Sequence, residues 1–113
     1  MHADGIAELL GNWESADRAQ IKEAVRSSVQ ELGQIAPGRS VELRVPPFIA
    51  VQVVEGPADR RGTPKAVIEM DPRTWLELVV GRLSWAEGVR LGRVRASGER
   101  ADLTPYLPLV HNG

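Results

Sequence analysis

Residues 71–98 read DPRTWLELVVGRLSWAEGVRLGRVRASG, and this stretch decides the fold. Asp71 is a favourable N-cap, and Pro72 suits the first position of a helix, where no N–H is needed. Glycine is favoured just beyond a helix C-terminus, so Gly81 and Gly92 predict the ends of two consecutive short helices. No catalytic group stands out in the stretch.

A short strand is predicted directly after the second of these helices. Residues 93–97 alternate in polarity, which predicts a strand with Val94 and Ala96 facing inward and Gly98 at its end. Further on, Asp102 is placed to cap a last short helical turn.

The part of the chain before this stretch contains one clear amphipathic helix. Apolar side chains recur at steps of three and four between residues 15 and 35, as they do on one face of a helix. They are Ile21, Val25, Val29, Leu32 and Ile35. Ser15 is the predicted N-cap. Residues 1–14 are predicted to be an N-terminal extension or a short helix, and residues 15–113 a single domain.

Three strands are predicted between the two helical regions. Residues 41–45 alternate between apolar and charged side chains, which is typical of a strand with one wet face. Residues 48–54 carry apolar side chains on both faces, which predicts a central strand. Residues 65–70 are predicted to form the third strand. Strands grouped before helices predict an α+β fold, with an antiparallel or mixed sheet of about four to five strands and helices packed on one face.

The amino-acid composition argues against several classes of function. The 113 residues include 15 acidic and 14 basic ones, so a formal charge of −1 gives no general attraction to nucleic acid. There is no cysteine, and the two histidines are His2 and His111, near the chain ends. We therefore expect no metal, no cofactor and no enzymatic activity. No apolar run approaches the ~18 residues of a membrane span, so we expect no stable membrane insertion and a cytoplasmic protein.

A few polar residues remain as candidates for function. Glu69 and Asp71 would share a strand face, but a helix cap at Asp71 and a solvated Glu69 are the better interpretation than a catalytic pair. Gln52 interrupts an apolar strand, and it could bond within the core, face solvent or contact a ligand head group. Arg60 and Arg61 form a basic pair in a loop that could meet an anionic head group or simply be solvated.

Trp75 and Trp85 lie on the two consecutive helices, with Val79 and Leu83 between them. These side chains could line a slot for an acyl chain, or they could simply fill the core. A vacant pocket of ~300 Å³ would cost about 7 kcal/mol at ~24 cal/mol per Å³, which rivals the whole stability of many domains. Any pocket here should therefore be small, occupied, or closed without ligand.

The order of elements and three short motifs resemble the sterol carrier protein type two family. The motifs are Asp71 opening a helix after the early strands, Gly81-Arg82-Leu83, and the segment from Gly92 to Glu99. The resemblance extends over residues 20–109. It is nearest to the compact bacterial branch, which is similar to the C-terminal domain of thiol-dependent maleylpyruvate isomerases.

This resemblance implies a non-enzymatic domain that binds an apolar small molecule or fatty acyl chain between its helices and its sheet. The residues expected to line the ligand or orient its head group are Gln52, Arg60, Trp75, Val79, Leu83 and Trp85. The alternative is an interaction or accessory module with a filled core, which forms a homodimer or supports a separate partner enzyme.

Overall fold

The computed structural model describes residues 3–56, 65–98 and 101–109. The helices are α1 Ala3–Gly11, α2 Arg18–Ile35, α3 Pro72–Val79 and α4 Trp85–Arg90, with 3₁₀ turns at Trp13–Ser15 and Thr104–Tyr106. The strands are β1 Val41–Val45, β2 Ile49–Val53, β3 Ala66–Met70 and β4 Val94–Ser97. None of the helices in this part of the chain is long and apolar enough to cross a membrane.

The four strands form one mixed sheet in the order β2-β1-β3-β4. The outer pairs β1–β2 and β3–β4 are antiparallel, whereas the central pair β1–β3 is parallel. The predicted α+β class and mixed sheet are confirmed. The prediction of β2 as a central strand is wrong, because β2 lies at the edge of the sheet. The side chains of Ala50 and Gln52, on one face of this strand, are exposed to solvent.

The two faces of the sheet differ in polarity. Side chains on one face are buried against the helices, and they alternate along β1 and β3 as Val41, Leu43 and Val45 and as Ala66, Ile68 and Met70. The opposite face is polar and open. On β4, Val94 and Ala96 lie on the helix-covered face, opposite Met70 and Ile68, as predicted. Val94 is buried, whereas Ala96 stays exposed on the other edge strand.

Helix α2 begins at Arg18 rather than at Ser15. Asp17 is the N-cap, and its Oδ1 accepts a hydrogen bond from the N–H of Ala19 at 2.9 Å. Ser15 instead ends the preceding 3₁₀ turn. The buried stripe of α2 consists of Ala24, Val25, Ser28, Val29 and Leu32. The predicted member Ile35 lies outside this stripe and is 54% exposed.

Helix α1 is part of the same core. Its side chains Ile6, Leu9 and Leu10 are buried in the apolar cluster that also contains the buried residues of α2, α3 and the sheet. α1 contacts both α2 and α3. Within residues 1–14, the structure therefore shows a packed helix at Ala3–Gly11.

Helix α3 begins as predicted. Asp71 Oδ1 accepts a hydrogen bond from the N–H of Thr74 at 3.1 Å, and Pro72 occupies the first turn. The buried side chains of α3 are Thr74, Trp75, Leu76, Leu78 and Val79. After β4, Leu103 returns to the core, and the N–H of Leu109 donates to the carbonyl oxygen of Val79 at 3.0 Å.

A close crossing of backbones joins the end of α2 to the end of β2. Val54 has φ of +66°, a left-handed conformation that is unfavourable for a β-branched residue. It is held there by hydrogen bonds from its N–H to Ala36 and from the N–H of Ser40 to its carbonyl oxygen. A Cβ on Gly38 would lie 2.2 Å from the carbonyl carbon of Val54, so the crossing requires glycine.

Candidate functional site

Four of the six predicted site residues belong to the apolar layer between the helices and the sheet. Trp75 and Val79 are fully buried members of the core cluster. Leu83 and Trp85 are half-buried and pack against that cluster from the α3–α4 connection and the start of α4. The layer is closed over Trp75, since no part of this side chain is accessible to solvent.

The single polar atom of the Trp75 side chain is satisfied inside the protein. Its indole Nε1–H donates to the hydroxyl oxygen of Ser28 on α2 at 2.8 Å. The hydroxyl of Ser28 in turn lies 2.7 Å from the carbonyl oxygen of Ala24 and 3.0 Å from that of Val25. The surroundings of Trp75 therefore present no unpaired polar group, and they suit an apolar chain. A serine within the apolar face of α2 was the only sequence signal for this contact.

The margin of the layer lies where α4 meets β4. Gly88 of α4 packs so closely on β4 that an added Cβ would lie 2.8 Å from Cγ2 of Val94 and 3.5 Å from Cδ2 of Leu83. Residue 88 is buried, whereas Leu83 and Trp85 retain partial exposure. This margin is where the apolar layer meets solvent.

Gln52 lies on the other side of the sheet. Its side chain is on the open face, where its Oε1 accepts a hydrogen bond from Nε of Arg39 at 3.1 Å. Glu42 is its cross-strand partner on β1. Of the three alternatives for Gln52, the structure places it at the solvated side, separated by the sheet from Trp75. Arg60 and Arg61 lie outside the described residues.

A charged network ties α3 to the segment before β4. Glu77 Oε2 accepts from Nη1 of Arg93 at 3.1 Å, and Glu77 Oε1 pairs with Nε of Arg73 at 3.3 Å. Nε of Arg93 also donates to Oγ1 of Thr74 at 3.1 Å. The hydrogen bond to Glu77 raises the pKa of Arg93 above its ordinary value, and partial burial opposes this rise. The guanidinium is charged across the physiological range, and its role here is to fix α3 against the approach to β4.

The carboxylates considered as a catalytic pair each have a structural partner. Asp71 caps α3, and Glu69 on the open face is paired with Arg95 of β4. Within residues 3–56, 65–98 and 101–109, no group of three or more His, Cys, Asp or Glu side chains is placed to hold a metal ion.

Among the surface grooves of the described residues, two of the larger ones lie outside this layer. One, of about 560 Å³, runs between α1 and the start of α2, and is lined by polar side chains such as Glu8 and Gln20 together with apolar ones such as Leu9 and Ala16. The other, of about 460 Å³, lies beside the turn at Pro46 and Pro47. Trp75, Val79, Leu83 and Trp85 line neither groove.

Comparison with known proteins supports the resemblance seen in the motifs. A search of curated proteins gave no significant match. The profile of the family described as bacterial SCP ortholog, where SCP denotes sterol carrier protein, matches residues 17–109. That match extends from the N-cap of α2 to the segment that crosses the end of α3, and so includes every strand described above. The chain therefore belongs to the bacterial SCP ortholog family.

Proposed function

We propose that this protein is a non-enzymatic domain that binds an apolar small molecule, such as a fatty acyl chain, in the layer between its helices and its sheet. Family membership supports the general class. The observation that carries the proposal is the apolar layer around Trp75, which has its one indole polar group paired with Ser28 and has half-buried apolar side chains at its margin.

The driving force is burial of apolar surface, at about 25 cal/mol per Å² removed from water. Trp75 and Val79 provide the deep wall, and Leu83 and Trp85 the margin. The closed state agrees with the energetic argument from the sequence, because a vacant pocket of ~300 Å³ would cost about 7 kcal/mol. Ligand must therefore replace protein side chains rather than fill an existing hole.

The test is a titration of the protein with a fluorescent fatty acid, followed by energy transfer from tryptophan. We expect saturable binding of one ligand per chain. Absence of saturable binding at any ligand concentration below micelle formation would contradict the proposal.

Leu83→Asp and Leu91→Asp form a matched pair of variants for this titration. Leu83 packs at the margin of the layer, whereas Leu91 is 52% exposed beyond the end of α4. A carboxylate at position 83 must be desolvated when an acyl chain lies beside it, so binding should weaken at least tenfold. The same change at position 91 should leave the affinity unchanged.

A second candidate function is an interaction module with a permanently filled core. The observation that favours it is the complete burial of Trp75 and Val79, together with exposed apolar side chains at Ile35, Val89 and Leu91. Sedimentation velocity at micromolar concentration separates the two candidates. A dimer mass with no fatty-acid uptake supports the interaction module, and a monomer that binds one fatty acid excludes it as the main function.

A further inference from the structure

Helix α1 lies before the residues that the family profile matches, but its apolar side chains are part of the hydrophobic core. The family profile matches from residue 17, whereas α1 ends at Gly11. Ile6, Leu9 and Leu10 are nevertheless 1%, 9% and 7% exposed. The matched region of this chain therefore has an apolar surface that is covered by a helix lying before it.

The surface that α1 covers is formed by two helices that also wall the proposed ligand layer. α1 packs on both α2 and α3, which are the two helices joined by the hydrogen bond between Trp75 and Ser28. Its three buried side chains are in the same apolar cluster as Trp75 and Val79.

Among the described side chains of α1, Ile6, Leu9 and Leu10 are the ones buried against the body. The helix has nine residues, with glycine at positions 5 and 11, and isolated helices of this length are marginal in water. Asn12 bonds back to Glu8 within the same segment. The 3₁₀ turn after α1 adds a contact with α3, where the guanidinium of Arg73 lies 5.9 Å from the ring centroid of Trp13.

We infer that α1 is an internal occupant of the apolar-ligand site, and that ligand binds by displacing it. This inference rests on the proposed function and deepens it. Ile6, Leu9 and Leu10 carry about twelve side-chain carbon atoms, so an unbranched acyl chain of about that length buries a similar amount of apolar surface in their place. The ligand class is therefore a medium-length acyl chain, with its head group left at the surface.

The first experiment uses the full chain without substitution. Amide hydrogen exchange in residues 7–11 is measured with and without dodecanoic acid, kept below its micelle concentration. If dodecanoate displaces α1, exchange in these residues becomes faster when it binds, although most ligands slow exchange at their binding site.

The second experiment compares Leu9→Ala and Leu10→Ala with Leu103→Ala. All three remove the same atoms from a buried leucine, but Leu103 lies in the segment after β4 rather than in α1. Weaker docking of α1 raises the fraction of chains open to ligand, so the two α1 variants should bind dodecanoate at least tenfold more tightly. Leu103→Ala should bind as the unmodified chain does. Circular dichroism checks that each variant is folded. If a variant does not fold, the hydrogen-exchange measurement on the unsubstituted chain still tests whether dodecanoate displaces α1.

The outcomes separate this inference from the proposed function. Faster exchange in α1 together with tighter binding by its variants supports displacement, and so does binding seen only in those variants. Unchanged or slower exchange in residues 7–11 on binding overturns displacement while the proposed function stands. Equal tightening by Leu103→Ala also overturns it, because general loosening would then explain the effect. No binding by any of the four proteins contradicts both.

Discussion

The indole N–H of Trp75 is buried, and its acceptor is the hydroxyl of Ser28 on the neighbouring helix. Ser28→Ala removes that acceptor and leaves a buried donor without a partner. Such a change costs about 1–3 kcal/mol. We expect urea unfolding, followed by far-ultraviolet circular dichroism, to give a free energy of unfolding lower by this amount.

Ser27→Ala is the matched control for this prediction. Ser27 is adjacent, and its hydroxyl donates only to the carbonyl oxygen of Glu23 within the same helix. This substitution should change the free energy of unfolding by less than about 0.5 kcal/mol. A Trp75→Phe background should also abolish most of the effect of Ser28→Ala, since the donor is then gone. Equal losses from Ser27→Ala and Ser28→Ala would contradict the role assigned to the hydrogen bond.

At the residue scale, local signals in the sequence succeed where the interaction itself is local. Asp71 caps α3 as predicted because the cap needs only the three residues that follow it. The start of α2 was placed two residues early, because Ser15 and Asp17 are both suitable caps and the nearby 3₁₀ turn uses the first. The contact between Ser28 and Trp75 joins positions 47 apart, and no local pattern predicts such a pair.

At the scale of elements, α4 and β4 are held together by a glycine. A Cβ on Gly88 would lie 2.8 Å from Cγ2 of Val94, so Gly88→Ala forces the helix and strand apart. Overpacking of this kind costs about 1–3 kcal/mol. The expected result is a lower midpoint of urea unfolding.

Gly33→Ala on α2 provides the opposite case. An added Cβ there would have nothing within 4 Å, so only the helix propensity changes. Alanine is favoured over glycine in a helix by about 0.5–1 kcal/mol, and this variant should be more stable. If both alanine variants shift the midpoint in the same direction, close packing at Gly88 is not the reason for its effect.

The sequence pattern predicts the kind of each element better than its position in the sheet. The alternation in β1 and the cap of α3 depend on neighbouring residues in the chain, and both are as predicted. α2 is a helix as predicted, but its N-cap is Asp17 rather than Ser15. The position of β2 was not, because apolar residues on both faces are also compatible with an edge strand when one of them is as small as Ala50. Strand order depends on pairing between distant segments, which periodicity does not report. For the same reason, periodicity does not show that Gln52 lies across the sheet from Trp75.

At the scale of the whole molecule, we expect ligand binding to raise the free energy of unfolding. A ligand that binds only the folded chain stabilises it by about 2.7 kcal/mol at one hundred times its Kd. For a chain of this length we expect dodecanoate to raise the melting temperature by about 10 °C. Differential scanning calorimetry measures this, with acetate as the control that carries the same carboxylate and no chain. An equal shift with acetate, or none with dodecanoate, would count against an apolar site.

The parallel pairing of β1 with β3 divides the molecule into two halves of similar design. Residues 3–56 contain one antiparallel strand pair with two helices, and residues 65–98 contain another with two more. Each half leaves an unpaired strand edge and an apolar helix face that only the other half completes. We expect a chain cleaved between residues 56 and 65 to give two fragments that reassemble, because each carries one strand of the β1–β3 pair. Fused to two proteins that bind each other, such fragments would report that contact.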